Sequence, residues 1–380
     1  MSVLYEIIEK YAEENGICDF GVCGAERFDY IREDIEKNAD ILKGFVEQDI
    51  EKRINPDITL EGAKSIISIA VKYNCDMNFK KDNKIRGYIS MGAVGEDYHI
   101  YMAKLLKGLA EKLSESLSFR YAYFSDTGPL CDRTVALKCK IGYKGKNGCV
   151  VSKNGGSTVF LGYIITDIDL SCFPDFLLER EFSDFSCEKC GLCVRSCPSG
   201  ALNEAGFKIE KCVSYITQLK RRLSYEEMKL IGINIYGCDM CQKVCAKNTE
   251  PVRQIIDINE AMPEIEHILG LTNRQFKEKY GKTAMGWRGA AVIKRNAVCA
   301  LLKYDEEYAF NMICGALKSE SALVRQTAAM AVALKKQDKG IDVLKEAEKN
   351  EKDNETVSVI HESLSFLRRE IKWATGTQEA

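Results

Sequence analysis

Histidine is scarce, with three in 380 residues, which argues against a metal site built mainly from imidazoles. No apolar run reaches the roughly 20 residues that a bilayer span needs, and no charged-then-apolar signal segment opens the chain. A cytosolic location without membrane attachment is therefore expected. Net charge is only -2, so no global field draws in nucleic acid and a polyanion would need a local basic face. The 6 prolines and 28 glycines are scattered, leaving no low-complexity segment or long linker. The Gly142-Tyr-Lys-Gly-Lys146-Asn-Gly148 stretch lacks P-loop order and precedes a strand, so it reads as a hairpin turn and nucleotide hydrolysis is not supported.

Cysteine, by contrast, is abundant at 17. In a reducing compartment this number points to metal or cofactor binding more than to disulfides. The run Cys187-Glu-Lys-Cys190-Gly-Leu-Cys193-Val-Arg-Ser-Cys197-Pro198 has the two-, two- and three-residue steps with which thiolates hold iron–sulfur cubanes. Farther on come Cys212 and then Cys238-Asp-Met-Cys241-Gln-Lys-Val-Cys245, the same run with one step removed. Pseudo-symmetric crossing of the last thiolate of each run gives Cys187, Cys190, Cys193 and Cys245 for one cluster, and Cys197, Cys212, Cys238 and Cys241 for the other. Paired two-residue spacings also build zinc ribbons, but those leave the additional steps and the following proline unexplained. Cys18, Cys23, Cys75, Cys131, Cys139, Cys149, Cys172, Cys299 and Cys314 are dispersed and read as free thiols.

Upstream of the cysteine runs, helical and strand patterns alternate. Val3 to Asn15 and Asp97 to Leu117 carry helix-period apolar residues, whereas Asp19–Cys23, Ser65–Val71, Tyr121–Phe124 and Thr158–Ile165 read as strands. This is the pattern of a layered α/β domain able to hold a flat cofactor. Ser125-Asp126-Thr-Gly-Pro129 stops one strand, so Asp126 is either a general acid at a strand end or a helix N-cap or turn residue. Spacing alone leaves both open. His99 either faces a cofactor or is a structural residue near a helix start.

From about Val252 onward the pattern is helical. Small apolar helices ending at Asp305 and Asp338, 33 residues apart, suggest stacked helix pairs of the HEAT kind. Between Leu271 and Lys303 there are eight Lys or Arg against the single acid Glu278, and Lys208, Lys211, Lys220, Arg221 and Arg222 flank the cysteines. These either neutralise phosphates or form solvated helix faces.

The cysteine runs, with Cys212-Val-Ser-Tyr-Ile-Thr and Tyr236-Gly-Cys238-Asp-Met-Cys241, resemble the epoxyqueuosine reductases, which reduce the epoxide of a modified base in the tRNA anticodon. Lys52-Arg53-Ile-Asn-Pro56, Gly95-Glu-Asp97-Tyr98-His99, Asp126-Thr-Gly-Pro129, Gly145-Lys146-Asn147, Gly281-Lys-Thr-Ala284 and Arg295-Asn296-Ala297 extend the likeness over nearly the whole chain. The resemblance implies an α+β multidomain fold: an α/β cobalamin-binding domain over 1–175, a ferredoxin-like domain with two 4Fe-4S clusters over 176–252, and an all-α HEAT-like repeat domain over 253–380. It also implies Asp126 as proton donor, with burial against the corrin expected to raise its pKa. Cobalamin contacts would come from Arg53, Asp97, Tyr98, His99, Asp126 and Lys146. The chain lacks the Asp-x-His-x-x-Gly by which many corrinoid proteins offer a histidine to cobalt. The implied partners are a tRNA anticodon stem-loop and a low-potential donor such as a flavodoxin or ferredoxin, with the protein a cytoplasmic monomer of queuosine biosynthesis. Two other readings remain at this level: a corrinoid iron–sulfur reductase with another substrate, and an electron carrier that docks on a partner. Departures from the family pattern at Val94, Tyr143, Ala246 and Lys247 bear on cofactor contacts and substrate.

Overall fold

A computed structural model describes residues 3–73, 82–170, 187, 189–248 and 257–375; Cys75 and Cys172 lie outside the described residues. The chain forms two compact units, each assembled from separate segments. The first comprises Met1–Asp76, Glu96–Ile209 and Met240–Ile255, and the second Met77–Gly95, Glu210–Asp239 and Ile256–Ala380.

The first unit is built on a four-stranded sheet of β1 (Ile17–Gly24), β2 (Ser65–Lys72), β3 (Tyr121–Phe124) and β4 (Val159–Thr166), in the order β1-β2-β4-β3. β2 is central and buried along almost its whole length. Its pleat sends Ile67, Ile69 and Val71 into a core shared with the helices Val3–Glu14 and Tyr98–Ser114. Ile66 and Ala70 point the other way, into a core with Phe28, Ile54, Val135 and Ala136. Two buried faces explain why this strand reads as a continuous apolar run, and each fully buried isoleucine contributes about 1.5–3 kcal/mol.

Every pairing in this sheet is antiparallel. Strands and helices interleave along the chain as expected, but Asp126 does not stand at the carboxyl edge of a parallel sheet, and its environment is made by loops and by the start of one helix. The 142–148 stretch is a hairpin turn as read: Gly142–Lys144 pairs with Val150–Ser152, and the Gly145 amide donates to Cys149 O.

In the second unit, a short parallel ladder joins Tyr88–Ile89 to Asn234–Tyr236. Helices Ala290–Ala300, Ala322–Leu334 and Asn354–Thr375 pack in succession, and Glu307–Ala316 and Lys339–Asn350 lie against them as alternate members. Arg325 forms a two-pronged ion pair with Glu351 (2.7 and 2.9 Å), tying one helix to the loop before the last. Among the described residues, no helix is long and apolar enough to cross a membrane.

Candidate functional site

The loop after β3 is held from both ends. Ser125 Oγ donates to Leu161 O on β4 at 2.7 Å. Asp126 then turns into the left-handed region at φ 59°, a conformation that disfavours most side chains by about 1–2 kcal/mol and that Asp tolerates better than bulkier residues. Its amide donates to Asp132 Oδ2 at 2.5 Å, which stabilises the turn. Asp126 is not a helix N-cap, because the following helix Asp132–Lys138 is capped at Cys131.

This turn aims the Asp126 carboxylate at His99, with Oδ2 3.4 Å from Nε2. The contact is an ion pair without hydrogen-bond alignment. On the other side of the ring, His99 Nδ1 meets Asp97 Oδ1 at 2.7 Å. Asp97 is itself the N-cap of helix Tyr98–Ser114 and accepts the His99 amide at 3.0 Å. One carboxylate therefore starts the helix and orients the imidazole that its first turn carries.

The electrostatics follow from this placement. Burial pushes the His99 pKa down, but the carboxylates of Asp126 and Asp97 outweigh it and lift the imidazole to about 9. Burial raises Asp126, and the neighbouring His99 imidazolium and Tyr98 more than offset this, leaving its carboxyl below the ordinary range. A cation is pressed against Asp126, and 60% of its side chain is open to solvent. Near neutral pH, His99 carries the proton and Asp126 is ionised. Burial raises Asp132 to about 7, only partly offset by the Asp126 amide, and its buried Oδ1 has no hydrogen-bond partner.

Stacked rings extend from His99. Tyr98 lies 4.2 Å from His99 between ring centroids and 4.6 Å from Phe160, and Phe160 lies 4.4 Å from Tyr73. Half-buried aromatic faces beside a proton-carrying pair suit a flat macrocycle. Nδ1 of His99 is hydrogen-bonded to Asp97, and Nε2 faces the Asp126 carboxylate without a hydrogen bond.

The stack leads to the cysteines. Tyr73 hydroxyl and the Gln242 side chain exchange hydrogen bonds at 2.7 and 3.0 Å, and Gln242 Nε2 also donates to Ser157 O. Asn248 Oδ1 accepts from the Ser157 amide and hydroxyl. Gly156, at φ 64°, lets this loop approach so closely that a Cβ there would meet Lys247 O at 2.5 Å. Polar side chains flanking Cys241 and Cys245 thus fasten the second cysteine run to the base of β4.

Cys187, Cys190, Cys193 and Cys245 line a single cavity together with Lys146, Asn147, Ala246 and Lys247. The four thiols of one proposed ligand set therefore stand around one space, from which Cys197 is absent. Four cysteines lining one cavity are the number and type of ligand that a cubane takes. Tyr143 sits beside it: burial and the neighbouring Cys187 push its hydroxyl pKa up. Lys146 lies at this cavity and not beside Asp126. Arg53 ends the helix Ile50–Ile54, is 9% exposed, and has no carboxylate partner among the described residues.

Sequence reading missed Tyr73, Phe160, Asp132, Gln242 and Asp239. Asp239, buried between Cys238 and Met240, accepts from Tyr88 hydroxyl and the Met91 amide, both at 2.7 Å. An acid inside a cysteine run was the only available hint.

A relative from Bacillus anthracis named epoxyqueuosine reductase is 34% identical over 375 residues, covering 94% of this chain and 96% of its own length. The chain belongs to the epoxyqueuosine reductase family. The family profile described as "Epoxyqueuosine reductase QueG, DUF1730" matches residues 53–127, which include Arg53, His99 and Asp126. A second profile, the 4Fe-4S double cluster binding domain, matches residues 186–248. The cysteine-rich segment is accordingly a 4Fe-4S cluster-binding domain, not a zinc ribbon. A crystal structure of an epoxyqueuosine reductase with an epoxyqueuosine-modified tRNA-Tyr stem loop superposes with a TM-score of 0.84 at 31% identity, covering 96% of this chain and all of that one. A Bacillus subtilis epoxyqueuosine reductase with its catalytic aspartate loop swung out of the active site gives 0.83 at 31% identity, covering 96% and 99%.

Proposed function

We propose that the protein reduces the epoxide of epoxyqueuosine in a tRNA anticodon stem-loop to give queuosine. The observation that carries this reading is that the Asp97–His99–Asp126 array and the Cys187, Cys190, Cys193 and Cys245 cavity share one compact unit. Family membership and the tRNA-bound relative support the substrate.

Deoxygenating an epoxide to an alkene consumes two electrons and two protons and releases water. When bound, a cobalamin supplies a strongly nucleophilic cobalt and the two 4Fe-4S clusters supply its electrons. The chain's own residues do the rest. Asp126, ionised at rest, takes the proton held on His99 as the epoxide oxygen gains charge and delivers it there; Asp97 keeps the imidazole oriented and favours its recharging from solvent. Tyr98 and Phe160 present an apolar wall to the macrocycle, with Arg53 and Lys146 as further candidate contacts. Cys197, Cys212, Cys238 and Cys241 make the second ligand set.

In this reading the chain is ordered as a cobalamin-binding domain over 1–175, a cluster domain over 176–252 and HEAT-like repeats over 253–380. It works as a cytoplasmic monomer supplied by a flavodoxin or ferredoxin. The alternating helices from Ala290 to Thr375 support the repeat assignment.

The test is turnover of epoxyqueuosine-containing tRNA by anaerobically reconstituted protein with cobalamin and a low-potential reductant. Asp126→Asn is expected to lower turnover about 10²–10⁴-fold while cluster absorbance is unchanged. Full turnover in that variant would remove Asp126 from proton delivery.

A further inference from the structure

Two of the dispersed cysteines stand together in the first unit. Cys139 Sγ–H donates to Cys23 Sγ at 3.2 Å, although 116 positions separate them in the chain. Backbone geometry builds this placement. Cys139 is the C-cap of helix Asp132–Lys138, and Lys140 after it turns into the left-handed region at φ 52°. The Lys140 amide donates to Leu137 O at 3.1 Å and the Ile141 amide to Ala136 O at 3.0 Å, the paired bonds that close a helix end around a left-handed residue. Cys23 lies on β1 opposite Ile66 of β2, and Cys139 Sγ also comes within 3.6 Å of Ile66 O.

The helix end reaches the strand because of Gly21. Gly21 and Cys23 share one face of β1, and a Cβ at Gly21 would stand 2.0 Å from Cys139 O. Any larger residue there would push the helix end, and its thiol, away from Cys23. The two thiols differ in access. Cys139 is 2% exposed, and burial together with the adjoining Cys23 keeps its pKa well above the ordinary thiol range. Cys23 is partly open to solvent. Neither is among the eight thiolates assigned to the clusters, and Cys18, by contrast, spends its thiol on Ala70 O.

A half-open thiol beside a shielded one is suited to closing a disulfide. The first meets the oxidant, and the second, within about 1.2 Å of bonding distance, resolves it. In reducing compartments such bonds are transient and serve redox sensing or catalysis. We propose that Cys23 and Cys139 are a reversible oxidation site, a dithiol that hydroperoxide converts to a disulfide. The Cys23 sulfur attacks one peroxide oxygen, the O–O bond breaks, and the leaving hydroxide takes up the thiol proton as water, so that Cys23 becomes a sulfenic acid. The Cys139 sulfur then attacks the Cys23 sulfur, the S–O bond breaks, and a second water leaves with the Cys139 proton. Two thiols lose two electrons, and one peroxide becomes two waters. The new bond ties to β1 the helix whose first residue, Asp132, accepts the Asp126 amide.

The experiment uses the full chain with its clusters reconstituted, treated anaerobically with small increments of hydrogen peroxide, quenched in acid, alkylated and digested for mass spectrometry. The expected product is a peptide pair joined through Cys23 and Cys139, two hydrogen masses lighter than the free peptides and separated again by dithiothreitol. Cys139→Ser should hold Cys23 as a sulfenic acid that dimedone traps, whereas Cys23→Ser should leave Cys139 a free thiol at the same dose. Unfolding curves check that both variants are folded, and the parent decides the matter if either is not. Recovery of Cys23 and Cys139 as free thiols from parent whose cluster absorbance has bleached would overturn the proposal. So would Cys23 joined to a different cysteine, or Cys23 oxidised to the sulfinic acid with no cross-link.

Discussion

Arg295 in the second unit and His99 in the first are both cations held by the protein, and both belong to motifs by which the chain resembles its family. Their surroundings differ in kind. Arg295 is 0% exposed, and its guanidinium donates to the carbonyls of Ile216, Thr217, Leu219 and Arg221 and to Asn296 Oδ1. Asn296 completes the clamp by donating to Thr217 O and Ile235 O at 2.7 and 2.8 Å. Burial pushes the guanidinium down to about 10, so it is still charged near neutrality. All its donor groups are used inside the protein, mostly on backbone carbonyls. His99 instead lies between two carboxylates, one of them largely open to solvent, and its contact with Asp126 is unaligned. A saturated cation holds a fold together, and an unsaturated one beside an exposed carboxylate can move a proton. The basic count between Leu271 and Lys303 therefore overstates the surface available to phosphates, since Arg295 is internal and Lys294 is bound to Leu271 O.

The comparison breaks most readily at Arg295. Arg295→Ala strands several buried carbonyls, each worth about 1–3 kcal/mol when unsatisfied, so a loss of at least about 3 kcal/mol is expected in denaturant unfolding. A variant of parental stability would mean the clamp is not structural.

His99 should act chiefly on chemistry, and its ion pairs also add a stability contribution that is largely present near neutrality. Parental turnover should fall as pH rises through about 9, where the imidazole loses its proton. His99→Gln should lower turnover by at least about 10²-fold and abolish that limb of the profile. The sign also holds for stability. A histidine raised above its ordinary value contributes fully below about pH 6.5, and the contribution is lost as pH rises through 9. A pH profile unaltered by the substitution would separate His99 from proton delivery.

The smallest expected effect is at Asp132. Its folded pKa is raised to about 7, so the stability linked to its protonated form is present below about pH 4 and lost as pH climbs through 7. Asp132→Asn keeps an acceptor for the Asp126 amide and removes this titration. The variant should lose less stability than the parent between pH 5 and pH 8, as read by urea unfolding at both. An equal loss would show that Asp132 does not titrate there.

Much of this protein is legible in its amino-acid order because the signals are local. β2 alternates between two apolar cores, and the pattern Ser65 to Val71 declares it. Cysteine spacing marks the cluster domain through the short loops that a cubane requires. The Asp97–His99–Asp126 array is only half legible. Asp126 and His99 carry recognisable motifs, but they lie 27 positions apart in the chain and only the turn at Asp126 brings them together. Tyr73 and Phe160 carry no motif, because an aromatic in or beside a strand reads as core wherever it points, and Gln242 stands in the cysteine run as a spacer with no role that spacing assigns.

Composition and spacing by themselves determined the 4Fe-4S segment, the central strand and the change to an all-helical C-terminal part, since each depends on neighbours a few positions away. Tertiary structure decided the rest: that Cys245 shares a cavity with Cys187, Cys190 and Cys193, that His99 lies between two carboxylates, and that Arg295 is spent inside the protein, mostly on backbone carbonyls. The reason is that charge, burial and hydrogen-bond saturation are sums over groups distant in the chain, and a shifted pKa exists only once those groups have been brought together.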